Sequence, residues 1–178
     1  PLRKFGPPVA DHIQPMPYTV AQKMLAPLAP SGRHYYIKAQ YMKEITGDAI
    51  DIMVARFKKV TSPFSAMIFQ QLGNAANRVG SSETPFGYRD ALYSWEVFAA
   101  WEDAGESEIH IRWARESAEA MLPFTQGFYV NHVGMEAEEG ADLIRAAYGA
   151  NYPRLAALKK QYDPGNLFRH NQNIKPAA

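Results

Sequence analysis

Two stretches of this chain concentrate the side chains that could do chemistry. In Gly127-Phe128-Tyr129-Val130-Asn131-His132 a phenol, an amide and an imidazole lie side by side. Imidazole ordinarily gains and loses a proton near neutral pH, which suits it to general acid–base work. Read from residue type alone, His132 is a half-exposed group at the end of a short strand over residues 128–133. Alternation sets it on the face opposite Tyr129 and Asn131, unless the strand ends or twists there.

The second stretch runs from Leu92 to Trp101. Leu92, Ser94, Glu96 and Phe98 share one face, and Tyr93, Trp95, Val97 and Trp101 the other. A carboxylate in so apolar a strand is unfavourable unless it meets water, a partner or a substrate. Glu96 thus reads either as solvent-facing or as a substrate contact. Upstream, Gln70 precedes a Gly73-Asn74 turn. It is placed to hydrogen-bond a hydroxylated substrate or to cap a sheet edge.

Other chemistries are excluded by what the chain lacks. With 0 cysteines there is no disulfide, thiolate nucleophile or cysteine-ligated cluster. The histidines show no metal-ligand spacing, no Gly-x-Gly-x-x-Gly opens a helix, and no Gly-x-Ser-x-Gly elbow supplies a hydrolase nucleophile. Basic and acidic residues nearly balance, 19 against 18, so there is no electrostatic footprint for nucleic acid or an anionic membrane. No apolar run approaches the ~18 residues of a membrane span. The chain starts without Met and without a signal peptide's apolar stretch. The expectation is a segment beginning inside a longer, cytoplasmic protein. At 178 residues and 47% hydrophobic content it suits one domain, or the trailing part of a larger one.

The elements that hold the candidate groups follow from periodicity. Residues 1–18 are Pro-rich and aperiodic, an extended leading segment. Thr19-Val20-Ala21-Gln22 fits a capping box opening a short helix that Pro27 ends. His34 to Met42 alternates as a strand. Over residues 47–59 Ile50, Met53, Val54 and Phe57 form a helical stripe. Ala66 to Leu72 reads as a strand, with Ala75 to Val79 as its return, and Ala91 to Trp101 as the longest strand. Helices follow over Glu108 to Leu122, with Ile109, Trp113, Ala120 and Met121 on one side, then over Ala141 to Tyr148 and Tyr152 to Tyr162. In the last, Leu155, Leu158 and Tyr162 form the expected buried stripe. Without regular strand–helix–strand alternation, the expected class is α+β: a mainly antiparallel sheet with helices packed on one face. The other face is left free to cover something.

The closing run is, by itself, a helix stop and a turn. Pro164 pushes Asp163 out of the helical region, and Gly165 and Asn166 tolerate left-handed geometry. Taken whole, Tyr162-Asp163-Pro164-Gly165-Asn166-Leu167-Phe168-Arg169, then Gln172-Asn173-Ile174-Lys175-Pro176, fills every fixed position of a known pattern. It resembles the closing segment of the berberine-bridge-enzyme-like flavoprotein oxidases, a branch of the FAD-linked oxidases that includes the vanillyl-alcohol and p-cresol oxidising enzymes.

That resemblance implies roles for particular residues. Tyr129, Asn131 and Gln172 become cofactor-binding candidates and His132 the catalytic acid or base. Plant members carry a catalytic carboxylate on the strand of Glu96. Its position falls at Ser94, so Glu96, two residues on and on the same face, is the catalytic candidate here. Ser94 and Gln70 become substrate contacts. The chain departs from the pattern at Asn74, where a second Gly is usual, and at Tyr88, which replaces His. At the Gly73-Asn74 turn the aromatic that usually precedes it is replaced by Gln70 or Leu72, and this departure suggests a different, more polar substrate pocket. Arg89 reads as a surface residue or a partner for a carboxylate across a domain interface.

The resemblance also implies an organisation. Residues 1–140 would be the C-terminal part of a substrate-binding domain. Residues 141–178 would be a berberine-bridge-enzyme-like C-terminal element docking on an FAD-binding domain or subunit, which holds most of the FAD. The whole enzyme would oxidise an alcohol or sugar-type small-molecule substrate by hydride transfer to flavin, and this chain is not expected to be active without that half. The rival expectation is a stand-alone, flavin-free binding module or an inactive remnant. An uncovered sheet face would also invite formation of a homo-oligomer.

Overall fold

The computed structural model describes residues 2–4, 6–7, 11, 13–133, 141–170 and 172–178. The expected boundary at 140/141 abuts residues outside that set, and Asn171, between the two parts of the closing run, lies outside it. Two compact units emerge, residues 1–33 and 34–178. In the first, α1 spans Tyr18–Lys23, and its N-cap is Pro17 with no side-chain cap bond. The expected capping box is therefore not formed: Thr19 already lies inside the helix.

The second unit is built on three strands, β1 (His34–Met42), β2 (Ala66–Gln71) and β3 (Tyr93–Trp101). They form an antiparallel sheet of order β1-β3-β2. β3 is central and buried along most of its length, which explains its near-continuous apolar run. The expected return strand over 75–79 is instead a 3-10 turn at Ala76–Arg78. β2 takes β3 as its partner, after a turn in which Gly73 and Asn74 both adopt positive φ (127° and 52°).

Helices α2 (Gly47–Phe57) and α3 (Ser107–Ala120) cover one sheet face. Thr46 caps α2 by accepting from the Ala49 amide at 3.3 Å. Met42, Trp95, Val97 and Trp101 of the sheet meet Ala49 and Met53 of α2 and Trp113, Ala114 and Ala118 of α3. Trp95 is fully buried; burial of a side chain that large is worth ~3 kcal/mol or more. The expected α+β class with helices on one face is thus the observed one.

The helix faces differ from expectation. In α2 only Ala49 and Met53 are buried, while Ile50, Val54 and Phe57 are 46%, 48% and 44% exposed. They continue onto Met67 and Phe69 of β2 as an open apolar trough of ≈ 450 Å³. In α3 the buried line runs through His110, Trp113, Ala114, Ser117 and Ala118, leaving Ile109 outside. In both helices the sheet, rather than the most apolar stripe, selected the buried side.

A smaller core joins the C-terminal elements. α4 (Ala141–Tyr148) and α5 (Tyr152–Tyr162) pack Ile144, Tyr152 and Ala156 around Val133, with Phe128 and Ile174 at its margin. Within α5, Tyr152 and Ala156 are buried, whereas Leu158 and Tyr162 of the expected stripe are exposed. The tail returns along α5, where Ala177 donates its amide to the Ala156 carbonyl at 3.0 Å. Among the described residues no helix is long and apolar enough to cross a membrane.

Candidate functional site

The sheet face turned away from α2 and α3 carries a polar row across all three strands. Register sets Tyr41 opposite Ser94, and Ser94 opposite Gln70. Glu96 stands one step further along β3, between Ala39 and Ile68. Its Oε1 accepts a hydrogen bond from Gln70 Nε2 at 3.2 Å. Glu96 and Ser94 are each 5% exposed. The solvent-facing reading of Glu96 is therefore incorrect: a carboxylate on the central strand is walled in by its neighbours. That hydrogen bond partly offsets the loss of hydration.

An aromatic wall rises beside this row. Residues 126–129 run along the free edge of β1: Tyr41 and Gln126 exchange two backbone hydrogen bonds (3.1 and 2.7 Å), and the Tyr129 amide donates to the Ala39 carbonyl at 3.2 Å. Tyr41 thereby meets Tyr129 edge-on at 6.4 Å, Phe86 edge-on at 5.5 Å, and Tyr88 in a stack at 5.2 Å. Burial, followed by the neighbouring Tyr129, Tyr88 and Glu96, raises the Tyr41 phenol well above the usual tyrosine range. Tyr88 Oη donates to the Ala146 carbonyl at 2.6 Å. The wall is thus fastened to α4.

The segment carrying Tyr129, Asn131 and His132 is not the expected strand. Gly127 takes φ 56°, the Tyr41–Gln126 pairing is an isolated bridge, and Val130–His132 closes into a 3-10 turn. The positive φ breaks the extended run before a ladder can form. This turn, rather than strand alternation, sets the side chains. Asn131 Nδ2 donates to Tyr129 Oη at 2.8 Å, and the His132 ring stands edge-on to Tyr129 at 4.9 Å. Beyond the turn, Gln172 Nε2 donates to the Val133 carbonyl at 2.9 Å, pinning the tail there.

The candidates therefore fall into two groups. Gln70, Ser94 and Glu96 share the open face, and Tyr129, Asn131 and His132 share the turn at its edge. Glu96 and His132 are not brought together. His132 lines a cavity of ≈ 210 Å³ with Lys38, Gln40, Phe128 and Leu143, and Lys38 and Gln40 belong to the helix-side set of β1 by register. The sequence reading missed Tyr41 as a member of the site. Its parity with Ala39 was a usable signal, but a tyrosine in so aromatic a strand looks like core. Arg89, expected at the surface or on a carboxylate, instead donates to the carbonyls of Phe86 (3.1 Å) and Ala76 (2.8 Å). It staples the loop that presents Tyr88.

The family model described as "Berberine and berberine like" matches residues 128–175, the turn together with the C-terminal core. Uncharacterized FAD-linked oxidoreductase YgaK of Bacillus subtilis (strain 168) is 29% identical over 178 residues, covering 99% of this chain and 39% of the relative. Berberine bridge enzyme-like 23 of Arabidopsis thaliana is 31% identical over 161 residues, covering 80% of this chain and 30% of the relative. The solved structure of berberine bridge enzyme from Eschscholzia californica superposes with a TM-score of 0.72 at 25% identity, covering 82% of this chain and 34% of that one. The chain spans 38–40% of the length of the first curated relatives it matches.

Proposed function

Since the chain is kin to the FAD-linked oxidoreductases of the berberine-bridge type, we propose that it forms the substrate side of an FAD-dependent oxidoreductase that oxidises an alcohol or sugar-type small molecule by hydride transfer to flavin. The observation that carries this reading is the open sheet face, with Glu96 and Gln70 bonded at its centre and the Tyr129–Asn131 pair at its rim.

The residues present suit a flavin ring. Tyr129 Oη accepts from Asn131, so the phenol proton and the Asn131 amide oxygen are left to bond a further partner. A planar heteroaromatic group with donors and acceptors on its edge matches a phenol and an amide beside an aromatic wall. Tyr129 and Asn131 would hold it. Gln172 supports them through Val133 rather than from the face itself. Bound FAD supplies the two-electron acceptor.

The chain's own residues then position the substrate and manage its proton. Ser94 and Gln70 orient a hydroxylated carbon on the floor, and Glu96 takes the hydroxyl proton where the face is most enclosed. His132, whose cavity lies on the helix side of β1, is the second candidate base and would act from beyond the edge of the floor. The rest of a longer protein, or a separate subunit, would supply the FAD-binding domain as partner.

The test is the visible absorption spectrum of the purified whole protein that contains this chain together with its FAD-binding half, followed by anaerobic titration with alcohols and sugars. Flavin bands that bleach on titration support the reading. A colourless protein, or flavin that no hydroxylated compound reduces, overturns it.

A further inference from the structure

Tyr41 carries a polar group on the open face that the roles assigned above leave unused. It is 5% exposed, held by ring contacts with Tyr88, Phe86 and Tyr129. No described residue exchanges a hydrogen bond with its hydroxyl. The other two phenols of the wall are engaged: Tyr88 Oη donates to the Ala146 carbonyl and Tyr129 Oη accepts from Asn131. The Tyr41 ring is buried, but its oxygen is not sealed off and stays reachable from outside the chain. Phenylalanine would fill the same space, so what the hydroxyl adds is a hydrogen-bonding group that no described residue engages and that a molecule on the face can meet.

Register says where that partner would sit. Tyr41 faces Ser94 across the β1–β3 pair and lies diagonal to Glu96, on the same face as Gln70. The phenol is within electrostatic range of the Glu96 carboxylate. A group bonded to Tyr41 therefore occupies the floor beside Ser94 and Glu96. The floor offers a phenol, a hydroxyl, a carboxylate and an amide, and aromatic rings flank it. This is the chemistry that receives a polyhydroxylated ring: hydroxyl partners below and π-faces at the side.

We propose that Tyr41 is a substrate-contacting residue whose hydroxyl donates a hydrogen bond to an oxygen of a polyhydroxylated substrate on the floor shared with Ser94, Glu96 and Gln70. This rests on the flavoenzyme reading and adds to it a contact that fixes which way the substrate lies. The hydrogen bond forms in the bound state as well as during reaction. Its loss therefore weakens binding more than it slows the chemical step.

The experiment compares wild type with Tyr41→Phe in the flavin-loaded protein that contains this chain, with D-glucose as the probe. Removing one oxygen that has no protein partner leaves the thermal midpoint without glucose within about 2 °C of wild type. Two readouts then follow: flavin reduction against glucose concentration under anaerobic conditions, and the rise in thermal midpoint at saturating glucose. The expected result is a half-saturating concentration raised about tenfold. The limiting reduction rate stays within about threefold, and the glucose-induced thermal shift is largely lost. Unchanged concentration dependence in Tyr41→Phe overturns the role of Tyr41 alone. So does a large fall in the glucose-free midpoint, which would make the hydroxyl structural. A colourless wild-type protein overturns the flavoenzyme reading beneath it. A yellow wild type with neither response to glucose overturns the polyhydroxylated substrate class and the proposal with it.

Discussion

Gln70 reaches from the outer strand to Glu96 on the central one, and its Nε2 donates to the carboxylate across 3.2 Å. The two are not register partners, for Gln70 faces Ser94 and Glu96 faces Ile68. The bond is therefore diagonal, and it fixes one carboxylate oxygen while leaving the other for a further group.

Glu96→Gln separates the structural use of that carboxylate from its chemical one. A glutamine oxygen still accepts from Gln70, so unfolding free energy from denaturant titration changes by less than about 1 kcal/mol. Flavin reduction in the holoenzyme falls by about 10²–10⁴-fold, because the proton acceptor is gone. Reduction at the wild-type rate would remove Glu96 from the chemistry.

His132→Ala addresses the rim. If His132 is the base, stopped-flow reduction slows by about 10²-fold or more with flavin still bound. A rate matching wild type assigns His132 to packing against Tyr129 and leaves the proton to Glu96.

Gly127→Ala tests the turn beneath the aromatic wall. An added Cβ would lie 2.0 Å from the Tyr88 ring, on a backbone with φ 56°. The conformational strain of about 1–2 kcal/mol adds to the overlap. The thermal midpoint should drop by at least ~5 °C. Tyr88→Ala in the same chain should relieve the overlap but not the strain, recovering only part of the loss.

The C-terminal turn carries a pH dependence whose direction is set by Asp163. A hydrogen bond from Lys159, aided by the amides of Leu167 and Phe168, holds its carboxyl below the usual range. A carboxyl depressed in the folded state stabilises above its unfolded pKa of about 4 and loses that contribution as pH falls through the lower folded value. Asp163→Asn should therefore flatten the acid limb of thermal midpoint against pH and leave its slope above pH 5 as it was. An unchanged acid limb would show that another group sets it.

Much of the fold was legible because alternation and aromatic content agree in the strands. His34–Met42 was delimited to the residue, and β3 began two residues later than expected. Glu96 was legible as a functional candidate because charge inside an apolar strand is anomalous; its burial was not, since that depends on Gln70 reaching across strands. Tyr129, Asn131 and His132 were recognisable as a cluster, yet their directions come from the turn after Gly127, which period-two reasoning cannot supply. The helix stripes were legible only in part, since Met53, Trp113 and Met121 are buried as expected, and the rest differ for one shared reason. Periodicity identifies the most apolar side of a helix, whereas the partner it packs on decides which side is buried: the sheet for α2 and α3, the C-terminal core for α5.

That difference has a practical side at α2. Ile50, Val54 and Phe57 stand in the open beside Met67 and Phe69, so a fully native chain presents an apolar trough to any amphiphile in solution. Environment-sensitive dyes should fluoresce on it before heating begins, which would make a dye-monitored melt start high and look like partial unfolding. Calorimetry or far-ultraviolet circular dichroism, blind to that trough, would report the true transition.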